Sequence, residues 1–322
     1  MLGLMAVVLA LVASACGSDD SGSTSAGGEN LSGTIKIDGS STVAPLSEAA
    51  AELFQAENPG VQVTVGTAGT GGGFEKFCRG ETDISDASRK IKTSEADLCK
   101  ANGVVYDEFT VANDGLSVVV NSANDWAKCL TTAQLKKIWD QGSTITNWKD
   151  VDPSFPDQKL DLYGAGTDSG TFDYFTEAIN GKEGRSRTEY QATEDDNVTV
   201  QGVSGSKGGL GYFGLSYLEQ NKGKVKGVAI DGGGGCVEPT VETVQDGTYK
   251  PLGRPLFIYP TAKVLARPEG LAFVEYYIAN TTPITEQALF VDLTPEQKTK
   301  LTDQLDKLKA GGQGPTTTTT TP

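Results

Sequence analysis

Three short segments rich in glycine, serine and threonine have the composition of a binding site for a small tetrahedral anion. They are residues 39–45 (GSSTVAP), 69–74 (GTGGGF) and 167–172 (TDSGTF), and each leads directly into an amphipathic, helix-like segment. A helix N terminus carries unpaired N–H groups and the positive end of the helix dipole, and side-chain hydroxyls add further donors. Three such segments in one chain predict an oxyanion site at helix N termini.

Each segment also has a purely structural interpretation. Ser41 or Thr42 is placed to cap a helix that begins near Pro45, and Ser169 and Thr171 are placed to cap the helix that follows them. The glycine run of the second segment is also typical of a tight connection. None of the segments is a nucleotide-binding P-loop, because no Gly-Lys-Ser/Thr follows. We favour anion binding because all three segments occur together.

The elements that must position these segments alternate along the chain. Apolar patterns predict strands at residues 35–37, 61–65, 117–121, 160–163 and 225–230, and helices from residues 45, 74 and 172 and over residues 132–139, 270–278 and 295–308. This alternation is typical of α/β folds with largely parallel sheets. Each segment follows a predicted strand, at the end where open α/β sheets bind ligands. Because the third segment is distant in sequence, we expect a cleft between two lobes.

The composition excludes several classes of function. A net charge of −15 lacks the basic footprint of a nucleic-acid-binding protein. The chain has no histidine, which excludes Ser-His-Asp and Cys-His catalysis and removes the commonest metal ligand. We therefore expect no nucleic-acid partner, no metal, no cofactor and no enzymatic activity. An exported phosphatase that uses Asp, Glu, Lys or Tyr chemistry is the remaining enzyme hypothesis.

The N-terminal residues have the pattern of an export signal. Residues 2–15 are apolar but too short to span a bilayer, and a polar stretch begins directly after Cys16. This pattern resembles a bacterial lipoprotein signal, which implies a signal peptide over residues 1–15 and lipidation of Cys16. No Lys or Arg precedes the apolar run, and Ala13 stands where such signals usually carry Leu. The alternative is an ordinary secretory signal with an incidental cysteine.

The remaining cysteines are consistent with export. Cys78, Cys99, Cys129 and Cys236 would form two disulfides in an exported protein, with three possible pairings. Their order along the chain favours Cys78–Cys99 and Cys129–Cys236. A zinc site is disfavoured, because the chain has neither a Cys-x-x-Cys spacing nor a histidine.

A fourth segment, residues 83–90 (DISDASRK), adds charged candidates. Arg89 would present a planar guanidinium to an oxyanion, or else be an ordinary surface arginine. A carboxylate such as that of Asp86 is unfavourable beside an anion unless the anion carries a proton to donate. Hydrogen phosphate carries one and sulfate at neutral pH does not, so Asp86 would select phosphate over sulfate.

At these motifs the chain resembles the phosphate-binding proteins of high-affinity phosphate ABC transporters, which are substrate-binding lipoproteins of periplasmic type. The matching stretches are residues 38–45, 69–77, 83–90, 168–175 and 200–214. The resemblance covers nearly all of residues 33–308. It implies a two-lobed α/β fold of the periplasmic-binding-protein type II, with mixed sheets flanked by helices. Dehydrated phosphate would lie in the interlobe cleft, held by hydroxyl and backbone N–H donors.

The resemblance also implies which residues contact phosphate. Carried over by position, they are Ser41, Thr42, Thr70, Ser169, Gly170 and Thr171, and the family's acidic acceptor falls near Asp86–Ser88. Ser88 occupies the family's acidic position, and Asp86 lies two residues before it. Some relatives carry an arginine shortly before the third segment. Because residues 164–166 (GAG) stand there in this chain, Arg89 would supply the positive charge instead.

Domain boundaries and partners follow from the same resemblance. We expect lobe one to comprise residues 31–113 and 257–310, and lobe two to comprise residues 114–256. Residues 16–30 would form a flexible tether and the threonine-rich residues 311–322 a disordered tail. The protein would be a lipid-anchored monomer at the outer face of a bacterial cell membrane, delivering inorganic phosphate to permease subunits. Alternatives are a receptor for sulfate, molybdate or tungstate, and a surface adhesin or antigen without a transported ligand.

Overall fold

The structure is a computed structural model that describes residues 31–167 and 169–310. The expected signal peptide, the lipidation site Cys16, the tether and the tail over residues 311–322 lie outside the described residues, as does Asp168. In the described part of the chain, no helix is both long enough and apolar enough to cross a membrane.

Strands and helices alternate along the described chain, as the apolar patterns predict. The strands are β1 (Gly33–Gly39), β2 (Val61–Gly66), β3 (Ile84–Ala87), β4 (Phe109–Asn121), β5 (Cys129–Thr131), β6 (Asp161–Ala165), β7 (Gln191–Thr193), β8 (Gly209–Gly214), β9 (Val225–Gly227), β10 (Ala229–Asp231), β11 (Cys236–Val237) and β12 (Gly253–Pro260). The helices are α1 (Ala44–Glu57), α2 (Gly69–Cys78), α3 (Thr93–Ala101), α4 (Thr132–Trp139), α5 (Trp148–Val151), α6 (Gly170–Phe175), α7 (Asp196–Gly205), α8 (Leu215–Gln220), α9 (Val241–Gln245), α10 (Ala262–Leu265), α11 (Pro268–Ala279), α12 (Thr281–Ala288) and α13 (Pro295–Lys309). A π-helix, Thr176–Asn180, continues α6.

Most strands belong to one mixed sheet with β12 and β4 at its centre. The strand order is β2-β1-β3-β12-β4-β8-β6-β7, β9 also pairs with β4, and β11-β10-β5 form a smaller sheet. The strands β1, β2 and β3 run parallel, and so do β6, β7 and β8. In contrast, β12 and β4 are antiparallel to their neighbours. The expected mixed α/β architecture is confirmed, whereas the largely parallel pairing holds only away from the central pair.

Buried apolar side chains form separate clusters in the two halves of this sheet. One cluster is built from residues 116–252 together with Val291. The other two are built from residues 35–112 and 256–305. The long strand β4 serves both halves, because Phe109 lies in one cluster and Val118 in another. The exact lobe boundaries stay a prediction.

Local sequence signals located the helices around the three predicted segments. Pro45 lies in the first turn of α1, as predicted. The second helix, however, begins at Gly69, so the predicted turn over the glycine run is wrong. The physical reason is close packing, because a Cβ atom on Gly73 would overlap the Cα of Gly39. The helix α2 therefore rests directly on the backbone of β1.

Residues 225–230 form two strands rather than the single strand predicted. The first, β9, pairs with β4, whereas β10 pairs with β5 and β11. Between them, the Val228 N–H donates to the Val118 carbonyl at 2.8 Å. The chain passes from one sheet to the other at Val228. A continuous run of apolar residues in the sequence does not reveal such a change.

Both predicted disulfides are confirmed. Cys78–Cys99 joins the end of α2 to α3 with Cα atoms 4.1 Å apart. Cys129–Cys236 joins β5 to β11 with Cα atoms 6.0 Å apart. Each bridge closes a loop and so lowers the entropy of the unfolded chain, which is the usual contribution of disulfides in exported proteins.

We expect Gly73→Ala to lower the free energy of unfolding by about 1–3 kcal/mol, because the added methyl group must displace α2 from β1. Gly71→Ala is the matched control in the same helix. A Cβ there would lie 3.8 Å from Arg89 Nη2, an ordinary contact, and alanine favours a helix. Urea unfolding measures both variants. Equal stability of the two would contradict the close contact between α2 and β1.

Candidate functional site

The three predicted segments meet where β1, β2 and β6 lead into α1, α2 and α6. Two adjoining cavities lie there, a large cavity of about 210 Å³ and a small cavity of about 10 Å³. Five of the predicted residues line the large cavity: Ser41, Thr42, Ser169, Gly170 and Thr171. Four of the predicted residues line the small cavity: Ser41, Thr42, Thr70 and Ser88. Ser41 and Thr42 line both cavities.

The small cavity has a hydroxyl wall and a carboxylate wall. The hydroxyl wall consists of Ser40, Ser41, Thr42, Thr70 and Ser88. The carboxylate wall consists of Asp173, Glu177 and Glu183. The guanidinium of Arg254 also lines this cavity. The combination of many hydroxyl donors and one cation suits a small oxyanion.

The first and third segments contact each other directly. Ser41 Oγ donates to Asp173 Oδ2 at 3.1 Å, and Thr42 Oγ1 donates to the Gly170 carbonyl at 3.2 Å. Glycine is required at position 170, because a Cβ there would lie 2.7 Å from the Thr42 nitrogen. These contacts bring residues 128 and 132 positions apart in sequence to the same place.

The capping interpretation holds for one of these segments and fails for another. Ser169 Oγ accepts from the Thr171 N–H at 3.1 Å, so Ser169 is the N-cap of α6. The N-cap of α1 is Val43, which makes no side-chain capping bond. The hydroxyls of Ser41 and Thr42 are therefore not used as caps and face the cavities.

The second segment brings the N terminus of α2 to the small cavity. Gly69 and Thr70 both line the cavity, and an α-helix leaves its first four N–H groups without an intrahelical acceptor. Thr70 Oγ1 lies 3.0 Å from Ser88 Oγ and accepts from the Ser88 N–H at 3.2 Å. This pair links the second segment to the predicted fourth segment.

Arg254, which the sequence interpretation did not include in the site, supplies the cation of the small cavity. Its Nη2 donates to Thr42 Oγ1 at 3.1 Å, and its Nε donates to Asp114 Oδ2 at 3.3 Å. The guanidinium carbon lies 3.3 Å from the centre of the Tyr174 ring. The only signal in the sequence is the position of Arg254 at the expected crossing between lobes.

Arg89 does not reach either cavity. Its two terminal nitrogens donate to the two carboxylate oxygens of Glu95 at 2.8 and 2.7 Å. The guanidinium also lies 5.7 Å from the centre of the Phe74 ring. The expectation that Arg89 supplies the positive charge of the site is at odds with this position, because the Arg89 guanidinium is ion-paired with Glu95.

The carboxylate of Asp86 faces away from the cavities. It lies in β3 on the same face as Ile84, where Asp86 Oδ1 accepts from Ser47 Oγ of α1 at 2.9 Å. Ser47 Oγ in turn lies 3.4 Å from the Tyr277 hydroxyl. Asp86 lines neither cavity, so its expected role as acceptor of a ligand proton is at odds with the structure.

Asp86 instead stabilises the first segment and α1 through hydrogen bonds. Its backbone carbonyl accepts from the Ser40 N–H at 2.9 Å, and its carboxylate holds α1 through Ser47. Within the described residues, Asp86 Oδ2 has no hydrogen-bond partner. Burial is the main reason that the pKa of Asp86 is raised to about 8, so the carboxyl is neutral at neutral pH.

The sequence interpretation also did not identify the carboxylate wall. Asp173 lies in α6 and Glu177 four residues later, a spacing that places both on one helical face. Burial raises the pKa of Asp173, and the negative charge of Glu177 raises it further. The hydrogen bond from Ser41 and the charge of Arg254 lower this pKa, but the net shift is upward. Burial raises the pKa of Glu183 as well, and both other carboxylates add to it. The i, i+4 acidic pair was the available signal.

Similarity to known proteins extends over most of the chain. A family model described as a PBP superfamily domain matches residues 24–281. The protein SphX of Synechococcus elongatus is 47% identical over 280 residues, which cover 86% of this chain and 82% of that protein. The phosphate-binding protein PstS of Staphylococcus saprophyticus is 41% identical over 310 residues, which cover 96% of this chain and 94% of that protein.

Solved structures are similar to the same part of the chain. A crystal structure of a possible phosphate binding protein from Planctomyces limnophilus has 48% sequence identity and a TM-score of 0.83, and covers 86% of this chain and 99% of that chain. An ABC-type phosphate transport receptor from Vibrio cholerae shares the fold, with a TM-score of 0.65 at 24% identity over 81% of this chain and 100% of that chain.

We expect Asp86→Asn to remove a pH dependence of stability. The pKa of Asp86 is raised from 3.8 to about 8 by folding, so its contribution is greatest below about pH 4 and declines up to about pH 8. The wild type should lose stability relative to the variant across this window, by at most about 1.4 kcal/mol per pH unit. Urea unfolding at several pH values measures this.

Asp303→Asn, at an exposed position of α13, is the control for the loss of a carboxylate from the surface. A stability difference between Asp86→Asn and the wild type that does not change with pH would show that the buried carboxyl does not hold its proton.

Proposed function

Because the chain belongs to the PBP superfamily and, within it, to the family of PstS phosphate-binding proteins, we propose that it binds inorganic phosphate and delivers it to an ABC transporter. The observation that carries this proposal is the convergence of Thr42, Thr70, Ser88 and Arg254 on one small cavity. The helices α1 and α2 begin beside that cavity, so their dipoles add to the attraction of an anion.

Phosphate would bind in the small cavity, between the hydroxyl wall and Arg254. Hydrogen bonds to a charged ligand contribute roughly 1.5–3 kcal/mol each, so a handful of donors is enough for tight binding. A cavity of about 10 Å³ has room for roughly one water. The Ser41–Asp173 and Thr42–Gly170 contacts must therefore separate to admit phosphate.

We infer that this separation is a hinge motion of two lobes. Residues 31–113 with 257–310 would form one lobe and residues 114–256 the other, joined by β4 and β12. Arg254 lies on β12 and Asp114 on β4, so the ion pair between them would sit at the hinge itself. Both disulfides lie inside single lobes on this division and leave the hinge free to move.

We also propose that the chain is a receptor rather than an enzyme, and that it works as a monomer outside the cytoplasm. The PstS relatives are named as phosphate-binding proteins, and the chain has no histidine to act as a general base. The pattern ending at Cys16 supports lipid anchoring at the outer face of the cell membrane. Permease subunits of the transporter would be its protein partners.

Calorimetric titration with phosphate, sulfate and molybdate tests the ligand. We expect phosphate to bind far more tightly than either of the other anions. Thr42→Ala and Arg254→Gln should each weaken phosphate binding by about tenfold or more, because each removes a donor to a charged ligand. Arg79→Gln is the control, since Arg79 is an exposed partner of Glu75 on α2. Sulfate binding as tight as that of phosphate would contradict the proposal.

Membrane fractionation tests the anchor. Replacement of Cys16 by alanine removes the only sulfur at the end of the apolar segment, so we expect the variant to leave the membrane fraction. Mass spectrometry of the mature wild-type chain should show acyl groups on Cys16. A soluble wild-type protein with an unmodified Cys16 would favour the ordinary secretory signal.

A further inference from the structure

A short piece of chain between α12 and α13, residues 289–292, connects the two halves of the structure without lining the small cavity. We call it the crossing segment. Val291 packs in the apolar cluster built from residues 116–252, whereas Leu293, two residues later, packs in a cluster of the other half. The crossing segment therefore bridges the two proposed lobes in addition to the strands β4 and β12.

The crossing segment pairs with β4 beside the proposed hinge. The pairing of β8 with β4 begins at Leu116. Three residues earlier, the Asn113 N–H donates to the Val291 carbonyl at 2.9 Å, and the Val291 N–H donates to the Asn113 carbonyl at 3.0 Å. Asn113 directly precedes Asp114, the partner of Arg254. The segment thus takes a place next to β4 where the chain crosses between the proposed lobes.

Two side chains of proposed lobe two bind the backbone of the crossing segment. Ser216 Oγ of α8 donates to the Leu289 carbonyl at 2.7 Å, and Gln245 Nε2 of α9 donates to the Asp292 carbonyl at 2.8 Å. The segment is anchored in proposed lobe one, because the Asp292 carboxylate is ion-paired with Lys298 of α13. Its two ends are therefore held by both lobes at once.

Leu289 has a backbone conformation that leucine rarely adopts. With φ at 61° and ψ at 37°, it ends α12 in the left-handed region, and it is the only non-glycine residue with a positive φ in the described part of the chain. Glycine or asparagine is usual at such a helix end, and other residues are strained there. Strain of this kind is common in segments that switch between arrangements. Here it lies at the residue whose carbonyl accepts from Ser216.

We propose that the crossing segment is a latch that holds the two lobes in their closed arrangement and so sets the affinity for phosphate without contacting it. Its bonds to Ser216 and Gln245 are present together with the Ser41–Asp173 contact between the ligand-binding segments. Contacts that break on opening favour the closed state, and a ligand that needs the closed state binds more tightly when that state is more populated. This inference rests on the proposed function, because it takes phosphate as the ligand and the hinge as its motion.

A purely structural role explains only one half of these contacts. The Asp292–Lys298 pair and the packing of Leu293 hold the segment on proposed lobe one whether or not the lobes meet. The bonds from Ser216 and Gln245 cross between the lobes, and both donors are partly exposed. Water can satisfy such donors when the lobes separate, so the bonds can break and form again at little cost.

Calorimetric titration with phosphate and stopped-flow kinetics test the latch. Ser216→Ala and Gln245→Ala should each weaken phosphate binding by about fivefold, and the double variant should bind more weakly still. Because the latch bonds form after phosphate has entered, the loss should appear as faster release of phosphate, with the rate of association nearly unchanged. Urea unfolding checks that the variants are folded.

Matched controls remove the same kinds of hydrogen bond inside a single lobe. Ser204→Ala removes a hydroxyl that donates to the Gln201 carbonyl at 3.1 Å, and Gln304→Ala removes an amide that donates to the Glu108 carbonyl at 2.7 Å. Both should leave phosphate affinity unchanged. Wild-type affinity in the double latch variant, or a loss confined to the association rate, would overturn the inference. Absence of phosphate binding by the wild type would instead overturn the proposed function.

Discussion

The guanidinium of Arg254 connects the parts of the candidate site that lie furthest apart in the sequence. It contacts Thr42 of the first segment, Asp114 of the other central strand and the ring of Tyr174 in α6. These partners come from three separate parts of the chain, namely the turn before α1, the strand β4 and the helix α6. Burial raises the pKa of Asp114, and the neighbouring charge of Arg254 opposes that shift. Together with the Ser41–Asp173 and Thr42–Gly170 hydrogen bonds, this side chain ties the first segment to β4 and α6.

The fold around the site was largely predictable because its signals are local. Proline at the start of α1, the 3.6-residue periodicity of α4 and the alternation of β1 and β2 are each contained within a short window. The strand β12 was not predicted, because Pro255 is unusual in a central strand. The register of β12 against β4 shifts between Leu256 and Phe257, and this irregularity lies next to the proline.

The site was predictable only in its hydroxyl wall. The serines and threonines that precede a helix can be recognised from the composition of a short segment. The direction of the Asp86 side chain depends instead on where β3 ends. The strand stops at Ala87, so Ser88 leaves the sheet and turns toward the cavity while Asp86 stays in the core. Arg254 was beyond reach for another reason, because its partners lie 140 and 212 residues away.

Behind the hydroxyl wall, backbone rests on backbone. A Cβ on Gly39 would overlap the Asp86 carbonyl of the paired strand β3, and one on Gly73 would overlap Gly39 itself, so α2 is stacked on β1 at this point without side chains between them. Such a stack has no side chain that can shrink, grow or change rotamer to accommodate a new ligand. A change of ligand preference in this scaffold, by evolution or by engineering, is therefore easier through the opposite wall on the short α6 and its π-helical extension.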